Sequence, residues 1–401
     1  MVGSKIKNAL VRRGVLLLAG AALTGAAQAG QLSLGQATGY NIFALSNFSE
    51  SGTDSQGRVA VGGNFTPTGG GAFAIATNLS DPASTYDLVV GGSYTNGNIQ
   101  NITGSVVVGG SATWTNPSVG GTLYAGGSVT TSNSSATLGG LVVNGSFSSS
   151  SVTINNSANA YVSGAFNVSS GSDNGGTIYA GTYGGPNYLT HAAYNAGTAP
   201  SVPTPINFST AATSLDQLTS QIAGMTANGT VNATANSLTL TGADASQNVF
   251  NVTAAQVNAA VASGASGITI NAPAGSTVII NVSGTTISAL SSQITLNNVT
   301  GANVLWNFSG ATAFNTTNFA WWGTVLAPYA TFTGSSGQFN GQLIASVVTG
   351  STEFHDNAMF AGTITSAAVP EPSTGASALG GCVLIGLGLV ARRRVSGSSR
   401  R

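Results

Sequence analysis

A short motif recurs along the first half of the chain and constrains its fold more than any other feature. Each copy is a run of aliphatic, β-branched or aromatic residues that ends in glycine, and the final glycines lie at positions 63, 92, 110, 127, 145, 164 and 181. After a first interval of 29 residues, the spacings are 18, 17, 18, 19 and 17. Self-similarity at a nearly fixed period indicates a solenoid of stacked coils.

The composition of the copies indicates which solenoid this is. The leucine-rich pattern L-x-x-L-x-L is absent, and so is the regular aspartate of calcium-binding nonapeptide arrays. The glycines suit tight corners and close approach between coils, and the Ser, Thr and Asn residues after them suit stacked turns. We therefore predict an all-β fold, a parallel, right-handed β-helix with about 18 residues per coil.

One segment interrupts this pattern. Behind a proline-rich connection at 199–205, four apolar residues recur at helical spacing: Leu215, Leu218, Ile222 and Met225. This spacing predicts one amphipathic α-helix over about 209–225, with Ser209 as its N-cap. We expect its apolar stripe to pack alongside the β-helix, because four exposed apolar side chains would be unfavourable. Short β-rich runs resume behind it, so we interpret residues 30–366 as one domain.

Both ends of the chain carry patterns typical of export. A basic segment precedes an apolar run and the small residues Ala27 and Ala29, which predicts a signal peptide over residues 1–29 that signal peptidase removes. At the other end, residues 376–391 form an apolar stretch. As a helix it would measure roughly 24 Å, short for a bilayer but able to span it with help from flanking residues. We predict a transmembrane helix there, with residues 392–401 as a basic cytoplasmic tail.

A short motif stands just before that apolar stretch, in the linker 367–375. Its residues, and the arginines behind the stretch, are Val369, Pro370, Glu371 and Pro372, then Arg392, Arg393 and Arg394. The order of motif, apolar helix and arginine cluster resembles a PEP-CTERM sorting signal. The resemblance implies processing by an exosortase in a Gram-negative bacterium, with membrane contact before cleavage. It also implies that the body is kept at the cell surface or released.

The charged residues between the two ends are few and mostly acidic. Residues 30–368 hold nine acidic residues and one basic residue, Arg58, which gives a net charge of −8. This charge disfavours nucleic acid and anionic membrane surfaces as partners. The one cysteine, Cys382, lies in the predicted transmembrane stretch, so disulfides do not stabilise the body.

Several motifs in the body resemble the choice-of-anchor A family over most of 35–362. The matching segments are 40–48, 59–63, 306–308, 322–328, 338–345 and 353–355. The resemblance implies a surface-anchored protein, and some relatives are described as collagen- or matrix-binding adhesins. The segments 323–327 and 340–345 are also similar to the closing coils of ice-binding β-helices, which place a helix beside the coils.

Groups suited to catalysis are scarce in the body, which has neither lysine nor cysteine. The densest polar cluster is Glu353, His355 and Asp356. It could form a metal or acid/base site, or it could cap the last coil and bond an exposed backbone edge. The absence of a second histidine or of a ligand spacing nearby favours capping. We therefore expect no enzyme activity, no cofactor and no metal.

Aromatic side chains are the other candidates for ligand contact. Trp321 and Trp322 are adjacent, so strand alternation predicts that one ring points inward and one outward, where it could stack on a ligand. The alternative is that both rings cover the helix or the core. Ice binding would favour regular Thr-x-Thr rows, and the seven glycine motifs do not repeat that pattern. We therefore predict an exported surface protein that binds extracellular polysaccharide or a matrix protein. The alternatives are an ice-binding β-helix and, second, a glycan-active enzyme that uses Asp or Glu.

Overall fold

The computed structural model describes residues 30–67, 73–77, 79, 85–97, 102–155, 159–184, 189–190 and 192–366. The predicted signal peptide and the whole predicted sorting region, 367–401, lie outside the described residues. Gln31–Ser366 form one compact unit.

Short strands make up most of this unit. In the described part of the chain, the strands before the long helix are β1 (Gln31–Leu32), β2 (Tyr40–Ala44), β3 (Phe48–Glu50), β4 (Asp54–Ser55), β5 (Arg58–Val61), β6 (Ala74–Ile75), β7 (Tyr86–Val90), β8 (Tyr94–Gly97), β9 (Ser105–Val108), β10 (Ala112–Thr115), β11 (Ser118–Ala125), β12 (Val129–Val143), β13 (Phe147–Ile154), β14 (Ala160–Asp173), β15 (Thr177–Tyr183), β16 (Leu189–Thr190) and β17 (Ala193–Ala196).

The second half begins with helix α1 (Phe208–Ala223). It continues with β18 (Thr230–Ala233), β19 (Ser237–Thr241), β20 (Gln247–Thr253), helix α2 (Ala254–Ala260), β21 (Gly267–Asn271), β22 (Thr277–Ser283), β23 (Thr286–Leu290), β24 (Ile294–Asn297), β25 (Val304–Asn307), β26 (Ala313–Trp322), β27 (Thr324–Asn340), β28 (Leu343–His355) and β29 (Ile364–Thr365).

Parallel pairing stacks these strands coil upon coil. In the first half, Val59 pairs with Leu88, and the register continues through Val106, Leu123 and Leu141. Each step advances by one copy of the glycine motif. The fold is thus mostly β, with a parallel sheet of many strands and two α-helices, and it is β-helix-like as the repeat predicted. The handedness stays a prediction.

The order of the coils in the stack differs from their order in the sequence. Strand β28, near the end of the chain, pairs in parallel with β27 on one side and with β2 on the other. One continuous stack therefore runs from β20 through β22, β25, β27 and β28 to β2, and on through β5 to β17. The first coil of the sequence lies in the middle of this stack.

Helix α1 covers one outer side of the stack, which we call the helix face. Its buried residues, Leu215, Leu218 and Ile222, share an apolar cluster with outward-pointing strand residues from both halves: Phe43, Ala60, Val89, Ile279, Leu305, Leu326 and Ile344. The predicted packing of the amphipathic stripe is thus confirmed. Burial of the stripe removes apolar surface from water and provides the main attraction between helix and sheet.

The predicted N-cap was wrong by two residues. Asn207, in an extended conformation (φ −95°, ψ 94°), caps α1, and its side-chain oxygen accepts a hydrogen bond from the Thr210 backbone N–H at 3.1 Å. Ser209 lies inside the helix, and its hydroxyl donates to the Asn207 oxygen at 2.8 Å. An amide at the cap position satisfies a free N–H of the first turn, which leaves Ser209 a supporting role.

Helix α2 was not predicted from the sequence. A capping box starts it: the Thr253 side chain accepts from the Gln256 N–H, and the Gln256 side chain accepts from the Thr253 N–H. Its buried residues, Ala254, Val257 and Ala260, pack into the interior of the coils that contain β19, β20 and β23. Among the described residues, neither helix is long and apolar enough to cross a membrane.

Candidate functional site

A column of small polar side chains runs along a second outer side of the stack, which we call the hydroxyl face. Its residues occupy equivalent positions in successive coils: Ser288, Asn315, Thr333, Thr349, Ser49, Thr66, Thr95, Thr113, Thr130, Ser148 and Asn167. Every position carries a hydroxyl or an amide. Neighbouring strands lie about 4.8 Å apart, so the column repeats at that distance.

We call this row of residues the central column. A second row of polar side chains, the flanking column, runs beside it, and its side chains form hydrogen bonds within the protein. The Asn64 side chain accepts from the Ser93 N–H at 2.9 Å, and the Ser93 hydroxyl accepts from the Ser111 N–H at 3.3 Å. The same bond continues from Ser111 to Ser128, and from there to Ser146. These side chains bind coil to coil and fix the positions of the strands that carry the central column.

Part of the central column is open to solvent: five of its eleven residues are exposed, and the other six are half-exposed. Thr66, Thr95, Thr113 and Thr130 are all exposed. In the part of the chain that the structure describes, none of these four side chains makes a hydrogen bond to the protein. Their hydroxyls are thus available to an external partner, and their methyl groups lie beside them.

Aromatic rings lie directly beneath this column. Phe48 contacts Phe65 at a ring-centroid distance of 4.5 Å, Phe65 contacts Tyr94 at 5.3 Å, and Tyr94 contacts Trp114 at 4.9 Å. Large, fully buried rings pack densely and hold the strands above them in one position. The hydroxyl face is therefore a preordered surface.

No charged side chain projects from the central or flanking column. Glu50 follows Ser49, but alternation turns it inward, and it is fully buried. Burial raises the pKa of Glu50 to about 8, although a hydrogen bond from the Thr352 N–H at 3.2 Å opposes the shift. Glu50 is therefore mostly protonated at neutral pH, and the face above it stays uncharged.

The two predicted ligand-binding tryptophans lie elsewhere. Trp321 is fully buried and contacts the rings of Trp306, Phe314 and Phe319. Its ring has no free face, so its interpretation as a ligand-stacking residue was wrong, because its place in the strand turns it into the core. Trp322 is partly buried against the core, and its role in binding stays a prediction.

The predicted polar cluster forms in part. The His355 Nε2 atom lies 3.0 Å from Glu353 Oε1, and Nδ1 lies 3.1 Å from the Asn340 side-chain oxygen. Asp356 follows just beyond the end of β28. The capping interpretation was wrong, because β28 pairs on both sides and lies inside the stack. Within the described ranges, no group of three His, Cys, Asp or Glu residues could hold a metal ion.

The sequence contained a signal for the hydroxyl face that the Thr-x-Thr search missed. The third residue behind each final glycine is polar in the first six motifs: Thr66, Thr95, Thr113, Thr130, Ser148 and Asn167. The regular row runs across coils and not along one strand. Comparison at a fixed offset from the glycines would have found it.

The fold and the hydroxyl face together define a rigid β-solenoid with an uncharged, periodic polar surface. A family model described as "Putative Ice-binding-like adhesive domain" matches residues 33–123 and 79–356. These matches cover most of the chain, and the chain belongs to this family. The description supports a surface adhesive or an ice-binding protein, located at the cell surface or outside the cell.

Other comparisons add less. No curated protein matches the chain. The crystal structure of an ice binding protein from an Antarctic bacterium, Flavobacteriaceae, aligns over 82% of this chain and 99% of its own, at 13% identity and a TM-score of 0.27.

Proposed function

We propose that this chain is an exported adhesive protein that binds ice through its hydroxyl face. The observation that carries the proposal is the central column, with one small polar side chain per coil over eleven positions and free hydroxyls at its exposed threonines. A surface of ordered water is periodic and uncharged. A rigid row of hydroxyl and methyl groups at a constant repeat suits such a surface.

Preorganisation supports the proposal. Binding to an extended surface loses affinity when side chains must first be ordered. On the hydroxyl face, the flanking hydrogen-bond ladder and the buried rings have already fixed the backbone. Threonine is also stiff at χ1, so each hydroxyl is held in a narrow range of positions.

Adhesion to extracellular polysaccharide or to a matrix protein is the second candidate function. The hydroxyl face favours it less, because the large rings beneath that face point inward and leave no aromatic surface for sugar stacking. Partly exposed rings do occur elsewhere, at Trp322, Tyr124 and Tyr161. In either case we propose that the body acts without catalysis, cofactor or metal.

The export route is part of the proposal. The signal peptide, the PEP-CTERM-like motif at 369–372 and the arginines at 392–394 support secretion and sorting by an exosortase. The choice-of-anchor A resemblance fits an anchored surface protein of a Gram-negative bacterium. Signal peptidase and the exosortase would then be processing partners, and the membrane a transient one.

The test compares thermal hysteresis of the compact unit 31–366 and two variants. Thr113→Tyr places a bulky ring in the middle of the hydroxyl face. Thr153→Tyr is the matched control, since this half-exposed threonine lies outside the hydroxyl face and pairs with Thr137 and Ser172. We expect hysteresis in the wild type and the control, and most of it lost in Thr113→Tyr. No hysteresis in the wild type, or equal activity in all three proteins, would reject ice binding through this face.

A further inference from the structure

A groove lies between the outer surface of the stack and the proline-rich segment that leads into α1. We call residues 197–206 the strap. The groove has a volume of about 450 Å³, within the range of small-molecule sites. Its floor is the exposed backbone of Gly91 and Gly109 above the nearly buried Val89 and Val107, and its outer wall is Ser201–Ile206.

Both ends of the strap are fixed by contacts with the rest of the fold. At one end, the Gly197 N–H donates to the Ala180 carbonyl at 3.0 Å, and the Ala199 N–H donates to the Ser163 hydroxyl at 2.9 Å. At the other end, Ile206 is buried in the cluster under α1. In the described part of the chain, no hydrogen bond ties residues 201–205 to the floor.

The middle of the strap is stiff. Pro200, Pro203 and Pro205 each fix φ and lack an N–H, so this stretch favours an extended conformation without internal hydrogen bonds. The groove is therefore held open by the strap, and a ligand would not have to order it.

The lining restricts the ligand to one chemical class. None of the lining residues is charged, which disfavours an ionic ligand. The half-buried Val202 and Pro203 give the wall an apolar surface, whereas exposed polar side chains line the groove at Asn144, Ser201 and Thr204. A sugar ring separates apolar and polar groups in the same way, with an apolar C–H face and hydroxyls around its edge.

The direction of the groove favours a linear chain. Its lining passes from Gly91 through Gly109 and Gly126 to Asn144, one residue from each of four successive coils. Four coils span about 14 Å along the stack. We propose that this groove binds a neutral, linear oligosaccharide, lying along the stack with its apolar face on Val202 and Pro203.

This inference does not depend on ice binding, and it would give polysaccharide adhesion a defined site. The experiment titrates cellohexaose and maltohexaose, as neutral probes, and oligogalacturonate, as a charged probe, into the compact unit 31–366 by calorimetry. Thr204→Trp fills the groove from the exposed strap. Thr95→Trp is the control, because it alters the hydroxyl face only.

We expect saturable binding of a neutral hexamer, at least about tenfold weaker in Thr204→Trp and unchanged in Thr95→Trp. Asn144→Ala removes one rim hydrogen bond and should weaken binding by about fivefold, which provides a second reading if Thr204→Trp unfolds. No binding of either neutral hexamer to the wild type overturns the proposal. Binding that survives both groove variants, or preference for the charged probe, overturns it as well. Thermal hysteresis of the same variants tests ice binding by the hydroxyl face separately, so that a failure of oligosaccharide binding in the groove can be distinguished from a failure of ice binding.

Discussion

Ile42 lies directly opposite Leu343 in a parallel strand pair, and the adjacent Asn41 side chain donates to the Gly341 carbonyl, 300 residues further along the chain. The same side-chain nitrogen donates to the His355 carbonyl at 3.0 Å. These contacts join the two halves into one stack. The second half supplies the coils on one side of this junction, and the first half supplies those on the other.

A circular permutant should fold to the same structure and fold faster. Gln31 pairs with Thr365, so residues 30 and 366 can be joined by a short linker, and the chain can be opened between Thr198 and Ala199. The sequence order would then follow the order of the coils, which shortens the separation between contacting residues and speeds folding. Stopped-flow refolding with circular dichroism measures this. A permutant that fails to fold would contradict the proposed stacking order.

Alanine at Gly126 should destabilise the solenoid. A Cβ there would overlap the carbonyl oxygen of Gly109 in the next coil, so the two coils would have to separate. We expect a loss of about 2–3 kcal/mol in the free energy of unfolding, measured by urea titration. Gly224→Ala is the control, since its Cβ would lie 3.5 Å from the closest heavy atom, the Gln221 carbonyl oxygen. Equal stability of the two variants would show that the coils do not stack this closely.

Removal of the Asn307 side chain should loosen helix α1. The Asn307 amide donates to the Thr219 carbonyl and to the Asn281 side-chain oxygen, both at 2.9 Å. Asn307→Ala removes the partner of the Asn281 side-chain oxygen and of the Thr219 hydroxyl, which donates to the Asn307 oxygen, at a cost of about 2 kcal/mol. The midpoint of urea unfolding measures it, with the half-exposed Asn315→Ala as control. A shift no larger than that of the control would contradict the role of this hydrogen-bond network.

The stability of the protein should fall as the pH rises. Burial raises the pKa of Glu50 to about 8, against about 4.3 in an unfolded chain. Between these values the folded chain holds a proton that the unfolded chain has lost. The stabilisation is complete below about pH 4 and is lost as the pH rises through 8, with a total of at most about 5 kcal/mol.

Glu50→Gln should remove most of this dependence, because a neutral amide can keep the hydrogen bond from the Thr352 N–H. A smaller slope should remain, since burial also raises the pKa of Asp87 and Asp173. Chemical denaturation at pH 5, 7 and 9 measures the effect. The same slope in the wild type and Glu50→Gln would show that Glu50 ionises freely in the folded state.

Local patterns in the sequence predicted local features of the fold. The glycine period corresponds to one coil, and the helical spacing of Leu215 and Ile222 places both under the helix face. The pairing of Ile42 with Leu343 could not be predicted in this way. Its register depends on partners about 300 residues apart, and no short-range pattern encodes that choice.

In the candidate site, too, local patterns predicted some features, and others depend on long-range pairing. Alternation at Trp321 and Trp322 predicted one ring inward, but it could not tell which ring that would be. Glu353 and His355 form a cluster already in the sequence, whereas their position inside the stack depends on the long-range pairing of β28. The hydroxyl face was readable at a fixed offset from the glycines, and the open column became evident only when the coils were aligned in space.

Partition into growing ice is the most direct test of ice binding through the hydroxyl face. A fluorescently labelled unit 31–366 and its Thr95→Trp variant are each placed in water around a slowly growing ice crystal, and the fluorescence in the ice is measured. If the hydroxyl face binds ice, the wild type accumulates in the ice and Thr95→Trp stays in the liquid. Exclusion of the wild type to the same extent as the variant would contradict it.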